Sequence, residues 1–374
     1  MSMLRRLISA FAAASVLAFW TVSVNGQTAG AGGPGVHVTP SGYRVPVYGM
    51  SFVRNTQGRP GTTCARLTAP QIESTRLGRS VARAFVDSYP RSSVRAASGV
   101  TFEIVYTDAP GTGFLDAQEG AVRKRAMEAS MAAWSAVLQG TVPIVVHARM
   151  EEGDDESALL ASAAPIEFFA IDGRLVPSAL AAQLTNARQS MDGDVEVVFN
   201  PTVDWDYAVN GVAAAGKASF VYVAIHEVAH GLGFLDSFSA ETGELENRVP
   251  YPYDVFVNRG SSGRNPLTRQ SVTQVLEALT SGDLFFAGPK SIEASLRSIR
   301  PLPMVKLYAP AEYEHGSSIS HVDQDTYSDF KVGLMTPQDF GSGTDKIDIL
   351  TLAIMEDMGY RLVPGAITAA VPRR

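Results

Sequence analysis

The sequence contains one cysteine in 374 residues, and only 18% of its residues are charged. A single thiol excludes an intramolecular disulfide, so the fold cannot rest on a disulfide framework. Basic residues are not in excess, with 31 Lys and Arg against 38 Asp and Glu and a net charge of −7. This balance argues against a nucleic-acid-binding protein, which needs a basic surface to displace phosphate counterions. No run reaches the ~20 apolar residues of a membrane-spanning helix.

The residues that are present indicate a large globular protein with a secretory signal. Hydrophobic residues make up 45% of the chain, which is enough to bury a core. Residues 1–26 have the pattern of a signal peptide, in which Arg5 and Arg6 precede an apolar stretch at 7–20 and small residues at 24–26. No cysteine follows that stretch to carry a lipid. The sequence therefore predicts a secreted or periplasmic protein.

Beyond residue 26 the chain divides into three parts. Residues 27–98 are Gly-rich and heterogeneous, which favours a pro-segment or linker, and residues 365–374 form a short tail. Between them, 99–364 carries alternating patterns that predict an α+β enzyme domain of two lobes. Strands are predicted at 101–108, 142–150 and 194–200, helices at 70–85, 116–138, 219–232, 271–279 and 345–358, and a solvated acidic loop at 151–157.

The stretch IHEVAHGLGF at 225–234 is the most informative about chemistry. On a helix, His226 and His230 lie one turn apart, so both imidazoles can bind the same ion. Glu227 is one position further round and can reach a water molecule on that ion without being a ligand. Two imidazoles that hold zinc beside a carboxylate that accepts a proton are the requirements of metal-dependent hydrolysis.

A tetrahedral zinc ion needs a further protein ligand, and the residues themselves leave its identity open. Gly233 permits a sharp turn, and Asp236 lies where the pattern HExxHxxGxx(H or D) places a third ligand. His321 is the main rival, and His315 is a weaker candidate. In the simpler alternatives, Asp236 bonds backbone amides at the helix exit and His321 is an ordinary loop histidine, while His147 is packed or faces the surface.

The helix HEVAHGLGF, the distant segment SSISHVD and the following LMTP together resemble the metzincin clan of zinc proteases, and within it leishmanolysin-type enzymes. The sequence is more similar to bacterial secreted metallopeptidases, through FN at 199–200, DW at 204–205 and VYTD at 105–108. The resemblance covers roughly residues 100–362. It departs from the family in its long insertion, in Val322 at an expected aromatic position, and in lacking the disulfides of eukaryotic relatives.

The resemblance implies a two-lobed metzincin-like domain with 90 residues, 231–320, between the zinc helix and the next ligand. It implies zinc on His226, His230 and His321, Glu227 as the general base, and Met335 in a Met-turn that forms an apolar floor beneath the metal. The chemistry also favours His321 over Asp236, because a neutral imidazole leaves zinc more Lewis-acidic than a carboxylate does.

These features predict a secreted zinc metalloendopeptidase whose zinc-bound water is activated by Glu227 and whose substrates are proteins or peptides. An edge strand is expected to align an extended substrate by backbone pairing. The alternative is a secreted zinc-binding adhesion or binding protein on the same scaffold with little or no catalysis. A zinc hydrolase acting on a non-peptide amide is a third possibility. Nothing in the sequence indicates an oligomeric state.

Cys64 adds a hypothesis about regulation. It lies in the predicted pro-segment, and a thiolate binds zinc tightly. Cys64 could therefore take the position of the catalytic water and keep a zymogen inactive until the segment is removed. The alternative is an inert thiol.

Overall fold

The computed structural model describes residues 36–54, 60–69, 71–72, 88–152, 159–327, 333–339 and 344–370. All of them belong to one unit of the chain, Ala31–Arg374. The predicted signal peptide lies outside the described residues, as do most of the helix expected at 70–85 and most of the acidic loop expected at 151–157.

A large mixed sheet is the framework of the described part of the chain. In chain order the strands are β1 (Val36–Val38), β2 (Arg44–Pro46), β3 (Tyr48–Arg54), β4 (Pro60–Arg66), β5 (Arg91–Val94), β6 (Phe102–Tyr106), β7 (Leu138–Gln139), β8 (Ile144–Met150), β9 (Leu159–Pro165), β10 (Phe168–Ile171), β11 (Arg174–Pro177), β12 (Val195–Phe199), β13 (Trp205–Asp206), β14 (Ala218–Ser219), β15 (Val257–Arg259), β16 (Leu284–Phe286), β17 (Val305–Lys306), β18 (Gln338–Asp339) and β19 (Arg361–Leu362). The helices are α1 (Gly120–Val137), α2 (Ser178–Thr185), α3 (Phe220–Gly231), α4 (Val272–Leu279), α5 (Pro289–Arg297), α6 (Gln324–Tyr327), α7 (Ile349–Met358) and α8 (Ala366–Ala370).

Eight strands form this sheet in the order β18-β4-β3-β9-β12-β8-β6-β5. β6, β8 and β12 run parallel to one another, and the remaining pairings are antiparallel. Strands β8 and β12 are rich in Val and are buried along nearly their whole length, as expected for the centre of a sheet. The fold is therefore mixed α/β with a large mixed sheet, and the two-lobed metzincin-like organisation remains a prediction.

The segment expected to be a pro-segment or linker supplies part of this sheet. β3 pairs along β9, and β4 connects β3 to β18. The boundary expected at residue 98 falls between β5 and β6, which are themselves paired. Residues 48–66, which we call the β3–β4 hairpin, thus join the strands of the predicted catalytic domain to the short strand just after Met335. That this segment is removed remains a prediction.

Helices α1 and α3 pack together beside the sheet and place the HEVAH motif, residues 226–230, in the core. Ser219 caps α3 by accepting a hydrogen bond from the Tyr222 amide, and every residue of the helix is buried. The Trp134 indole on α1 donates to the Ile225 carbonyl at 3.2 Å, directly before His226. Helix α3 is therefore held in position by burial and by a side chain from its neighbour.

Most elements expected from the sequence occur near their expected bounds. The expected strands correspond to β6, β8 and β12, and the expected helices to α1, α3, α4 and α7. Helix α7 begins later than expected, at Ile349, because Asp348 accepts hydrogen bonds from the Leu350 and Thr351 amides. No helix within the described ranges is both long and apolar enough to cross a membrane.

Candidate metal centre

Three histidines from distant parts of the chain converge in the core. His226 and His230 come from α3, and His321 comes from the segment between β17 and α6. The Nε2 atom of His226 lies 3.2 Å from Nε2 of His230 and 3.3 Å from Nε2 of His321. All three side chains are fully buried. The structure therefore brings together the helix pair and the distant histidine that the sequence singled out.

Backbone carbonyls fix the orientation of each imidazole. The Nδ1 atom of His226 lies 2.7 Å from the Leu334 carbonyl, and that of His230 lies 2.7 Å from the Phe234 carbonyl. His321 makes the same kind of contact with a carbonyl at 3.1 Å, that of Ser317. Because a carbonyl only accepts, each Nδ1 carries the proton, and each Nε2 presents a lone pair to the centre of the cluster.

Burial keeps these histidines neutral. Desolvation lowers the pKa of His226 to about 4 and lowers the pKa of His230 and of His321 well below the ordinary value. Three lone pairs that point at one another in a buried space repel unless a cation lies between them. The cluster therefore has the protonation state and orientation of a metal site.

The spacing of the donor atoms supports the same conclusion. Two nitrogen ligands of a tetrahedral zinc ion are about 3.3 Å apart, and a thiolate ligand lies about 3.5 Å from each nitrogen. The observed separations between nitrogens are 3.2 and 3.3 Å, and the Cys64 sulfur lies 3.5 Å from Nε2 of His230. The donor atoms of Cys64 and the three histidines all lie within 4.8 Å of one another. This buried Cys/His group could hold a metal ion.

Cys64 enters the cluster from β4 and is held there by its own backbone. Its amide donates to the Pro337 carbonyl at 2.6 Å, and its carbonyl accepts from the Ser317 hydroxyl. Burial raises the pKa of the thiol well above its ordinary value, and the negative charge of Glu227 raises it further. Glu227 is therefore close enough to Cys64 to act on it, and the thiol needs a cation beside it to ionise.

Glu227 is fully buried, and neither of its carboxylate oxygens makes a hydrogen bond of normal geometry within the described residues. Burial raises its pKa well above the ordinary value, and the nearby amides of Met50 and Ala163 oppose this shift only in part. Such a carboxylate is costly to bury. Its position one residue from His226 is the one expected of a general base.

Asp236 does not join the cluster of donor atoms. One of its oxygens accepts from the Ser320 hydroxyl at 2.5 Å and from the Tyr48 hydroxyl at 3.2 Å. The other accepts from the Phe238 amide at 2.9 Å. The positive φ of Gly233, 110°, allows the expected turn. That turn brings the Phe234 carbonyl back to His230, and not the Asp236 carboxylate to the cluster.

The other candidates from the sequence take three different positions. His315 is at the surface, with 44% of its side chain exposed and Glu241 at 3.9 Å. His147 is buried on β8, away from the cluster. Met335 is fully buried, and its carbonyl accepts from the Val322 amide at 2.9 Å. The turn containing Met335 is thereby tied to the residue after His321, while its neighbour Leu334 orients His226.

Several groups at this site were not found from the sequence. The Tyr48 ring stacks on His230, with centroids 4.6 Å apart and an angle of 12° between the planes. Its hydroxyl lies 2.7 Å from the Ser320 hydroxyl, so Tyr48 bridges the two ligand segments. No sequence motif marks Tyr48. The carbonyls of Leu334, Phe234 and Ser317 carry no sequence signal either, because every residue has a carbonyl.

Comparison with known proteins gives a match to a family model over part of the chain. A family model described as SPBPB7E8-like, a description that names no activity, matches residues 113–265. The match includes α3 with its two histidines and Glu227, but neither Cys64 nor His321 lies within it. No curated protein and no solved structure matches the chain.

Proposed function

We propose that this protein is a secreted zinc-dependent endopeptidase of metzincin-like architecture. His226, His230 and His321 would hold zinc, and the conformation described here would be a latent one. The neutral imidazoles, their carbonyl partners and the tetrahedral spacing of the donor atoms support the metal. Secretion rests on the sequence of residues 1–26 alone.

The observation that carries the catalytic proposal is the state of Glu227. A metal site that only stabilises a fold does not need, beside its ligands, a buried carboxylate whose oxygens make no hydrogen bond of normal geometry within the described residues. Zinc, when bound, supplies Lewis acidity that polarises a scissile carbonyl and makes water more acidic. Glu227 would accept the proton of the attacking water and return it to the nitrogen of the leaving amine.

Two features of the β3–β4 hairpin support latency. Catalytic zinc sites keep one coordination position open, whereas Cys64 here occupies the position of a fourth ligand. β3 also pairs with β9 from Tyr48 to Ser51, and this fills the edge that an extended peptide would need. The hairpin would thus block both the metal and the substrate strand, as expected of an inhibitory pro-segment.

The second candidate function is a secreted binding or adhesion protein with a permanent metal site. The observation that favours it is the complete set of four ligands, since structural zinc sites are closed and made of Cys and His. In this case Cys64 would never leave the metal. The two candidates therefore predict different effects of removing the Cys64 thiol.

The test is hydrolysis of unfolded casein by the full chain, by Cys64→Ala, and by Cys64→Ala combined with Glu227→Ala, with zinc content measured for each. We expect about one zinc per chain in all three. Hydrolysis should be at least ~10-fold faster in Cys64→Ala than in the wild type, because a hairpin without its metal ligand can leave the substrate strand, and it should be lost when Glu227 is also replaced or a chelator is added. The double variant is the matched control, because it keeps the ligands and lacks only the base.

The binding-protein candidate makes the opposite prediction. If Cys64→Ala binds zinc but hydrolyses no casein, even after limited proteolysis has detached the β3–β4 hairpin, the proposed endopeptidase function is wrong. Hydrolysis that survives Glu227→Ala would contradict the role assigned to Glu227. Loss of zinc from Cys64→Ala alone would show that the thiol is an essential structural ligand.

A further inference from the structure

Arg66, on β4 of the β3–β4 hairpin, is a buried arginine that bears on which substrates the site would accept. It lies two positions after Cys64 on β4, so both side chains point to the same face of the strand. Only 4% of its side chain is exposed. A guanidinium is seldom buried to this degree unless the protein provides a site built for it.

Glu246 provides that site from the insertion between α3 and His321. A terminal nitrogen of Arg66 lies 2.8 Å from a Glu246 oxygen, and 11% of the Glu246 side chain is exposed. The guanidinium therefore lies in an acidic pocket lined by Glu246, and Arg66 is two residues along β4 from Cys64 of the candidate metal centre.

The backbone of Arg66 is held in place by close contact with the segment that precedes His321. Its amide donates to the His315 carbonyl at 2.9 Å. A Cβ atom added to Gly316 would lie 1.2 Å from the Arg66 nitrogen, so β4 contacts the segment that carries His321 backbone to backbone. β4 thus places the Cys64 side chain at the candidate metal centre. The next side chain on the same face of β4, that of Arg66, lies in the acidic pocket.

We infer that the acidic pocket lined by Glu246 is a specificity site for a basic side chain of a substrate peptide, which Arg66 occupies in the latent chain. The inference rests on the proposed endopeptidase function and on departure of the β3–β4 hairpin. When Arg66 leaves with the hairpin, Glu246 loses its buried cation and keeps only the exposed contact with Arg44. A peptide that lies where β4 lies would replace the buried cation with an arginine or lysine two residues from the residue that faces the metal.

Arg44 serves as the internal control. It contacts the same Glu246 carboxylate at 3.4 Å, but 56% of its side chain is exposed. An exposed ion pair contributes little to stability, whereas breaking a buried one leaves an uncompensated charge. The two arginines therefore separate recognition within the pocket from simple attraction to Glu246.

The first experiment tests the pocket without any catalysis, by thermal unfolding of the full chain. We expect Arg66→Ala to lower the melting temperature by about 5 °C or more and Arg44→Ala to lower it by less than about 1 °C. Methylguanidinium at millimolar concentration should restore part of the loss in Arg66→Ala but not in Arg66→Ala combined with Glu246→Gln. If Arg66→Ala fails to fold, the uncharged and shorter Arg66→Gln with and without Glu246→Gln gives the same comparison. The inferred pocket is wrong if methylguanidinium restores the melting temperature equally with and without Glu246→Gln, or if it restores nothing in the single variant.

The second experiment tests specificity after the hairpin has been detached by limited proteolysis. In a peptide library we expect cleavage to favour Arg or Lys at one position within three residues of the scissile bond, by ~10-fold, and Glu246→Gln to reduce this preference to about twofold or less. Cleavage without a basic preference, or a preference that survives Glu246→Gln, overturns the inference. If methylguanidinium restores the melting temperature but the chain cleaves no peptide, the proposed endopeptidase function is contradicted, whereas the guanidinium-binding pocket is supported.

Discussion

Glu227 and Asp236 lie on two sides of one histidine cluster and are both buried, but their surroundings differ. Glu227 makes no hydrogen bond of normal geometry within the described part of the chain, whereas Asp236 accepts from Ser320, Tyr48 and Phe238. Burial raises the pKa of both carboxyls, and in Asp236 hydrogen bonds from Ser320 and Phe238 limit the rise to about 6. Two buried carboxyl groups thus differ in their hydrogen bonds: the one on Asp236 joins segments of the chain, and the one on Glu227 does not.

The contrast has a physical basis. A carboxylate that must exchange protons with water or substrate cannot also be saturated by fixed donors, because those donors would hold it ionised and in place. A carboxylate that holds two segments together benefits from every donor it accepts. Asp236 joins the exit of α3 to Ser320, directly before His321. We therefore regard Asp236 as a residue that positions His321, and we propose Glu227 as the reactive group.

The largest expected effect comes from Glu227→Gln in the Cys64→Ala background. Peptide hydrolysis should fall by ~10³-fold, since the amide cannot accept the proton, while zinc content is unchanged. In the metal-free protein the same change should alter the free energy of unfolding by less than about 1 kcal/mol, because it replaces one buried polar group with another of the same size in the same place. Urea unfolding and casein hydrolysis measure the two effects. A variant that loses both activity and stability would show that Glu227 is structural and would remove the contrast with Asp236.

Asp236→Ala should give the reverse pattern. It deprives Ser320, Tyr48 and the Phe238 amide of an acceptor, and we expect it to lower the free energy of unfolding by about 3 kcal/mol. Asp236→Asn, which keeps the shape and one acceptor, should cost less. Zinc content at saturating zinc should stay near one per chain in both variants and fall in His321→Ala. If Asp236→Ala loses zinc and His321→Ala retains it, the assignment of the third ligand is wrong.

The same two residues show how much of the candidate site could be predicted from the sequence. The motif around His226 was recognisable because the spacing of ligands on one helix is local and is set by helical geometry. The choice between Asp236 and His321 was not decidable from spacing, since it depends on how the chain returns after Gly233. β3 and β4 gave no strand signal, because their Gly- and Thr-containing sequence is ordered by pairing with β9 and β18. Cys64 was noticed only as the sole thiol, and its contact with His230 is a consequence of that pairing.

The smallest effect is a pH dependence on the Asp236 side of the cluster. Asp254 is fully buried and bonded to Ser237 and Tyr251, and burial together with the charge of Asp236 raises its pKa to about 7. Because the folded-state pKa lies above the ordinary value of 3.8, the protonated form favours folding. This contribution to stability is complete below about pH 4 and is lost as the pH rises through about 7.

Asp254→Asn isolates that contribution. The buried histidines and the other raised carboxyls titrate in both proteins, so the difference between wild type and variant reports Asp254 and its coupling to Asp236. We expect the wild type to lose about 2 kcal/mol of unfolding free energy relative to Asp254→Asn between pH 4.5 and pH 8, less than the full shift implies because Asp236 titrates in the same range. Urea unfolding of the metal-free proteins at several pH values measures this. Parallel curves would mean that Asp254 is ionised in the folded protein throughout, and that burial does not disfavour a charged carboxylate on the Asp236 side of the cluster.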